Sequence, residues 1–224
     1  MKKFGDLLPP LHEGVYDQHI FKAFFLAGGP GSGKSYVVRR TTGGSGLKIV
    51  NSDNAFEMLL KRAGLSLKMP ASEEEPRDVV RSRAKDITSK QKANYIEGRL
   101  GLIIDGTGRE AEKILYQKRQ LEELGYDTYM IFVNTSLDVA LQRNAERARS
   151  VNEKIVVKSW KDVQGNIGKF SNMFRQGMII VDNNDAGEDI FKVVWKRVQG
   201  LLKNKVTNTR AKNCIAMELS KKKR

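Results

Sequence analysis

The sequence predicts a three-layer α/β domain built on a five-stranded, mainly parallel sheet, and three observations predict it. Five short apolar runs, at residues 24–27, 47–50, 100–105, 126–133 and 178–181, alternate with helical patterns, the arrangement that joins parallel strands through right-handed crossovers. The first run leads directly into a glycine-rich stretch that opens a helix. The length of 224 residues fits one α/β domain of ordinary size, with room for appendages.

Residues 1–22 carry Pro9, Pro10 and Gly14 and read as an irregular lead-in on the surface of a domain spanning residues 23–202. After the first strand comes Gly28-Gly29-Pro30-Gly31-Ser32-Gly33-Lys34-Ser35, a complete G-x-x-x-x-G-K-[ST] phosphate loop, and Tyr36 begins the continuing helix. The glycines let successive N–H groups turn toward phosphate oxygens, and the helix N-terminus favours negative charge. Lys34 is placed to reach β- and γ-phosphates and Ser35 to coordinate Mg²⁺. The loop therefore predicts a P-loop NTPase fold with ATP along residues 28–36.

Residues 42–46 are a flexible connection into the second strand, after which Asn51-Ser52-Asp53 stands at the sheet edge where ligands bind in open α/β folds. Ser52 or Asp53 also suits the N-cap of the helix that follows and that Gly64 ends, and both roles can hold. Residues 65–99 are polar and charged with a Ser72-x-x-Glu75 capping box, which predicts a helical insertion. It suits a substrate-covering subdomain or a purely structural insertion. The third strand closes on Asp105, the form of a second nucleotide motif whose carboxylate holds Mg²⁺. Thr107-x-x-Glu110 reads as a capping box for a helix to about Leu124, with Arg109 in its first turn opposing the dipole and so suited to a non-structural task. A helix over 137–147 is expected to bury Leu137, Ala140, Leu141 and Ala145, with Arg143, Arg147 and Arg149 at its end. One helix is expected over 155–175, then the fifth strand ending in Asp182-Asn183-Asn184. A last helix, 188–202, is expected to turn Ile190, Val193, Val194, Trp195 and Val198 inward.

The chain has 40 Lys and Arg against 26 Asp and Glu, a net +14, and half of that excess lies in residues 203–224. This segment reads as a solvated, disordered tail or, less simply, an arm for nucleic acid. Cys214 is the single cysteine, so no internal disulfide can form, and the reading is cytoplasmic. Asp6, Pro9, Pro10, His12 and Glu13 interrupt any signal-peptide core, and no run is long enough to span a bilayer. His12 and His19 both precede the phosphate loop, which excludes histidine catalysis and a histidine metal site as working readings.

Phosphoryl transfer to a hydroxyl needs a carboxylate near the acceptor, a metal on the phosphates and positive charge over the transferring group. Asp53, Mg²⁺ with Ser35 and Asp105, and Arg143 with Arg147 supply these in chain order. With Ile103-Ile104-Asp105-Gly106-Thr107 and Arg143-Asn144-x-x-Arg147, these residues resemble the P-loop kinase group of polynucleotide 5′-hydroxyl kinases and zeta-toxin-like kinases, over residues 21–184. The resemblance implies Asp53 as general base, Arg147 as the main arginine of a lid over 147–158 with Arg143 beside it, and Asp182 and Asn183 near adenine. Asp53, Thr107 and Arg109 form the expected acceptor-binding set. The Arg-Asn-x-x-Arg spelling and the basic balance favour RNA or DNA ends as acceptor. Asp105-Gly106-Thr107 favours a nucleotide sugar or other small metabolite. An ATPase switch is a third reading, disfavoured because Gly106 follows Asp105 and leaves no obvious base for water.

Overall fold

The computed structural model describes residues 14–68, 70–147, 151–185 and 187–222. Five strands, β1 (Lys22–Ala27), β2 (Lys48–Val50), β3 (Leu102–Asp105), β4 (Asp127–Asn134) and β5 (Met178–Asp182), form one sheet in the order β2-β3-β1-β4-β5. Every pairing is parallel, with Phe25 beside Ile104 on one side and Met130 on the other. β1 is buried along its whole length, which explains its unbroken apolar sequence. Alternate residues still serve different layers. Ala23, Phe25 and Ala27 pack with Ile114, Leu121, Phe170 and Phe174 on one face. Phe24 and Leu26 pack with Val37, Val38, Phe191, Val194 and Val198 on the other.

The helices that cover these faces are α1 (Lys34–Thr42), α2 (Ser52–Arg62), α3 (Glu74–Glu97), α4 (Ala111–Glu123), α5 (Leu137–Ala145), α6 (Glu153–Gly165), α7 (Ile167–Phe174), α8 (Glu188–Lys203) and α9 (Thr209–Lys222). The expected insertion is α3, joined to α2 through its own small core of Phe56, Leu59, Leu60 and Ala84. Among the described residues, no helix is long and apolar enough to cross a membrane.

Several local expectations are corrected. Ser72 does not cap α3; Glu73 occupies that position without a side-chain bond. α4 starts at Ala111 rather than after Thr107, so Arg109 precedes the helix. α5 ends at Ala145, which is exposed, and Asn144 is buried in its place. The helix expected over 155–175 is divided at Asn166 into α6 and α7. On α8 the inward stripe is Phe191, Val194, Val198 and Leu202, a helical spacing set by the large Phe191. Val193 is therefore 65% exposed and Trp195 44% exposed, with Ile190 also outside.

The segment expected to be a disordered tail is ordered among its described residues. Thr207 donates both its backbone N–H and its hydroxyl to Asp127, at 2.8 and 2.6 Å. Asp127 also accepts from Lys22, whose side chain is 1% exposed. α9 then buries Ala211 and packs Cys214 and Ile215 on the core. Its apolar positions, diluted among lysines, give a weak sequence signal that tertiary contact overrides. Residues 1–13 of the expected lead-in, including His12, lie outside the described residues, as do 148–150 of the expected lid, including Arg149.

Candidate active site

The phosphate loop joins the central strand to α1, and its glycines answer specific crowding. Gly31 has φ +79°, and a Cβ there would overlap the Ala140 carbonyl. Gly33 has φ +80° with Asn183 Nδ2 in the space a Cβ would take, so both positions require glycine. The Lys34 ammonium bridges the loop, donating to Gly28 O at 2.6 Å and Gly29 O at 3.2 Å. Burial pushes its pKa down; Asp105 opposes that shift, and Arg147 adds to it. Ser32 Oγ is buried with no hydrogen-bond partner among the described residues.

Asp105 ends β3, beside Leu26 of β1. Burial raises its pKa, Lys34 lowers it and Asp53 raises it further. Asn51, at the end of β2, connects the two acids: its Nδ2 donates to Asp105 at 2.6 Å and its Oδ1 accepts from the Asp53 N–H at 2.7 Å. Asn51 is thus the N-cap of α2, in place of the expected Ser52 or Asp53. The Asp53 side chain, 52% exposed, lies 3.9 Å from Arg81 of α3. The Arg81 guanidinium also stacks 3.8 Å from the centre of the Phe56 ring. Sequence reasoning missed Arg81, because nothing in α3 marks one arginine among several as facing α2.

On the other side of the loop, the sequence α5–β5 contacts differ from expectation. Arg143 donates to the Asn183 and Asn184 carbonyls at 2.7 and 2.8 Å. Its fork fixes the turn after β5, and its Nη1 lies 3.8 Å from where a Cβ on Gly33 of the phosphate loop would stand. Asn183 in turn donates to Ser32 O at 2.7 Å, so that turn is tied to the phosphate loop. Asp182 accepts from Asn184 and is occupied locally. Asn144 exchanges two bonds with Val151. Arg147 is exposed, close enough to Lys34 to act on its charge. Tyr36 stands edge-on to Phe191 with ring centres 5.4 Å apart.

The loop after β3 is stitched to its surroundings. Gly28 donates to Thr107 O at 2.9 Å, and Asn166 donates to the Gly108 and Arg109 carbonyls. Arg109 lies 3.7 Å from Asp162 of α6. Next to this loop is a cavity of about 390 Å³ between α3, α4 and the sheet edge, lined by Ser52, Asp105, Thr107, Arg109, Lys92 and Lys113 among others. Of the expected acceptor set, Thr107 and Arg109 line this cavity together with Asp105, whereas Asp53 does not line it and stands one residue from the lining Ser52. Ser35 and Asp105 offer hard oxygen ligands, and a cation there would offset the burial that disfavours the Asp105 charge, so the residues fit Mg²⁺. Among the described residues, no cluster of three His, Cys, Asp or Glu side chains suits a metal held by protein alone.

No curated protein matches the chain. Similar solved structures include the Pnkp1/Rnl/Hen1 RNA repair complex, with 21% identity, a TM-score of 0.53, and coverage of 68% of this chain and 47% of that one. The PezAT toxin–antitoxin system of Streptococcus pneumoniae gives 14% identity and a TM-score of 0.52 over 82% of this chain and 87% of that one. AvrRxo1-ORF1:-ORF2 with ATP gives 14% identity and a TM-score of 0.55 over 71% and 53%. This chain therefore spans about half of the first and third of those chains. At these identities the likeness is one of fold alone. The AAA domain profile matches residues 24–168, from β1 through the start of α7, and the chain belongs to that family, with a P-loop NTPase fold.

Proposed function

We propose that the protein is an ATP-dependent kinase that transfers the γ-phosphoryl group to a hydroxyl, with a polynucleotide 5′-hydroxyl end as the first candidate acceptor. One observation carries the reading: Asn51 joins the Asp53 backbone to the Asp105 carboxylate, and Asp105 lines a cavity whose Thr107 is bonded to Gly28 of the phosphate loop. An ATPase would need a carboxylate for water at this place and nothing more. Here Asp105 lines a cavity of about 390 Å³ and Asp53 stands one residue from its lining Ser52, which leaves room beside the acids for an acceptor. Asp53 accepts the acceptor's proton as its oxygen bonds to the γ-phosphorus. The bond from that phosphorus to the bridging oxygen breaks, and its electron pair leaves with ADP.

The chain's own groups supply the rest. Backbone amides of the loop and the unpartnered Ser32 hydroxyl face phosphate oxygens, and Lys34 exchanges its two carbonyls for them. Ser35 and Asp105 would hold Mg²⁺, which neutralises charge on the phosphates when bound. Arg147 approaches the transferring group, whereas Arg143 and Asn183 keep the loop and the adenine-side turn in register. The size of the cavity also favours a second reading, a small metabolite such as a nucleotide sugar.

The test is transfer of label from γ-labelled ATP with Mg²⁺ to 5′-hydroxyl oligonucleotides, nucleosides and sugar nucleotides offered in parallel. Label on one of them is expected, and Lys34→Ala is expected to lower turnover by at least about a hundredfold with the fold retained. Release of inorganic phosphate with every acceptor unlabelled would remove the kinase reading.

A further inference from the structure

The cavity beside Asp105 has a charge imbalance that phosphoryl transfer alone does not explain. Its floor is apolar, made by Phe25, Val50, Ile104 and Ile114. Lys85, Thr88, Ser89 and Lys92 line one wall at spacings that share a face of α3, and Lys113 and Gln117 line the opposite wall on α4. The only acids in the lining are Asp105, already bonded to Asn51, and Glu110. Arg109 is matched by Asp162. The side chains of Lys85, Lys92 and Lys113 make no hydrogen bond or ion pair among the described residues. Lysines on outward surfaces often do find carboxylates here, as Lys61 does with Glu57, Lys118 with Glu122 and Lys192 with Asp189. Lys92 differs from its two neighbours in being partly buried, and burial pushes its pKa down with no carboxylate to oppose the shift. A cation held in this way is stabilised by an anion in the cavity.

We infer, building on the kinase reading above, that this cavity selects an acceptor that itself carries a phosphate: the Lys92 ammonium and Lys113 hold that phosphate, and the apolar floor carries the ring next to it. The arrangement of apolar floor and cationic walls matches a nucleotide, whether free or at the end of a nucleic acid. It does not match a neutral sugar or nucleoside. Lys92 and Lys113 then set acceptor specificity, and neither touches the transferring phosphoryl group.

Two measurements on the full chain test this. The first compares label transfer to acceptors that differ by phosphate: adenosine against adenosine 3′-monophosphate, glucose against UDP-glucose, and a 5′-hydroxyl hexanucleotide. The phosphate-bearing member is expected to have the higher kcat/KM. In Lys92→Met that advantage is expected to fall about tenfold, the loss of one charge-assisted bond, through KM for the acceptor. KM for ATP stays constant, and Lys92→Arg restores most of the preference. A better hexanucleotide than mononucleotide identifies a nucleic-acid end as the source of the phosphate, and the reverse order identifies a free nucleotide. Equal use of neutral and phosphate-bearing acceptors overturns the inference while leaving the kinase reading intact.

The second measurement separates the two failures. With the nucleotide site saturated by a non-hydrolysable ATP analogue, calorimetric titration with adenosine and with adenosine 3′-monophosphate is expected to show tighter binding of the latter. The Lys92→Met, Lys113→Met double variant is expected to remove the difference. If no acceptor is ever labelled, a retained difference keeps the phosphate site and rejects the kinase. No difference in the unaltered chain rejects the phosphate site.

Discussion

Asp105 shows how a single residue carries a cost that function explains. Burial raises its carboxyl pKa, so the folded chain holds that proton more tightly than the unfolded chain. Its contribution to stability is therefore greatest at low pH and declines as pH rises through the carboxylate range. Asp105→Asn removes the charge and keeps an oxygen that can accept from Asn51. The variant is expected to melt higher than the parent at neutral pH, by about 2–4 °C for each kcal/mol recovered, while losing Mg²⁺-dependent turnover. An unchanged or lower melting temperature would contradict this account. Asp53→Asn is expected to leave ATP affinity intact and to lower turnover by about a hundredfold or more, as for loss of a general base. The cap of α2 belongs to Asn51, so a fall in ATP affinity with Asp53→Asn would place Asp53 in a structural role. Lys34, Ser35 and Asp105 were legible because motif spacing fixes them. Asn51 was not: three adjacent residues, Asn51, Ser52 and Asp53, could each cap a helix, and only the backbone geometry chooses.

At the scale of elements, the sheet was legible because buried parallel strands are written as unbroken apolar runs. The helices were less so. α8 offered two apolar stripes, and Phe191 rather than Trp195 reached the sheet. The turn after β5 was expected near adenine, but its tie to the phosphate loop was not visible, because it depends on Arg143 and Asn183 approaching across 40 residues. Asn183→Ala removes a buried donor to Ser32 O and leaves that carbonyl unpaired. It is expected to cost about 1–3 kcal/mol of stability and to weaken ATP binding more than acceptor binding. Denaturant unfolding and nucleotide titration of the same variant check both parts. An effect on stability alone would make Asn183 a packing residue.

For the molecule as a whole, the largest departure from the sequence reading is the basic C-terminal segment. High charge and few large apolar residues describe a disordered chain, yet Ala211 is fully buried and Thr207 satisfies a buried acid. Deleting residues 207–224 therefore removes structure as well as charge. The expected cost is about 3–5 kcal/mol, since a buried ion pair loses part of its support, and the melting temperature is expected to fall by about 10 °C. Calorimetry of the shortened chain decides it, and an unchanged transition would return the segment to the status of a free arm. Any later loss of oligonucleotide affinity in such a variant must be read against that instability.

The Lys22, Asp127 and Thr207 contact carries a further implication for biosynthesis. Lys22 is translated 105 residues before its counterion, and the group that completes the counterion's bonding follows another 80 residues later. On the ribosome the Asp127 carboxylate consequently waits with part of its hydrogen bonding unmade, at the end of the sheet away from the phosphate loop. The bonding that anchors this end of the sheet is therefore complete only once residue 207 is in place.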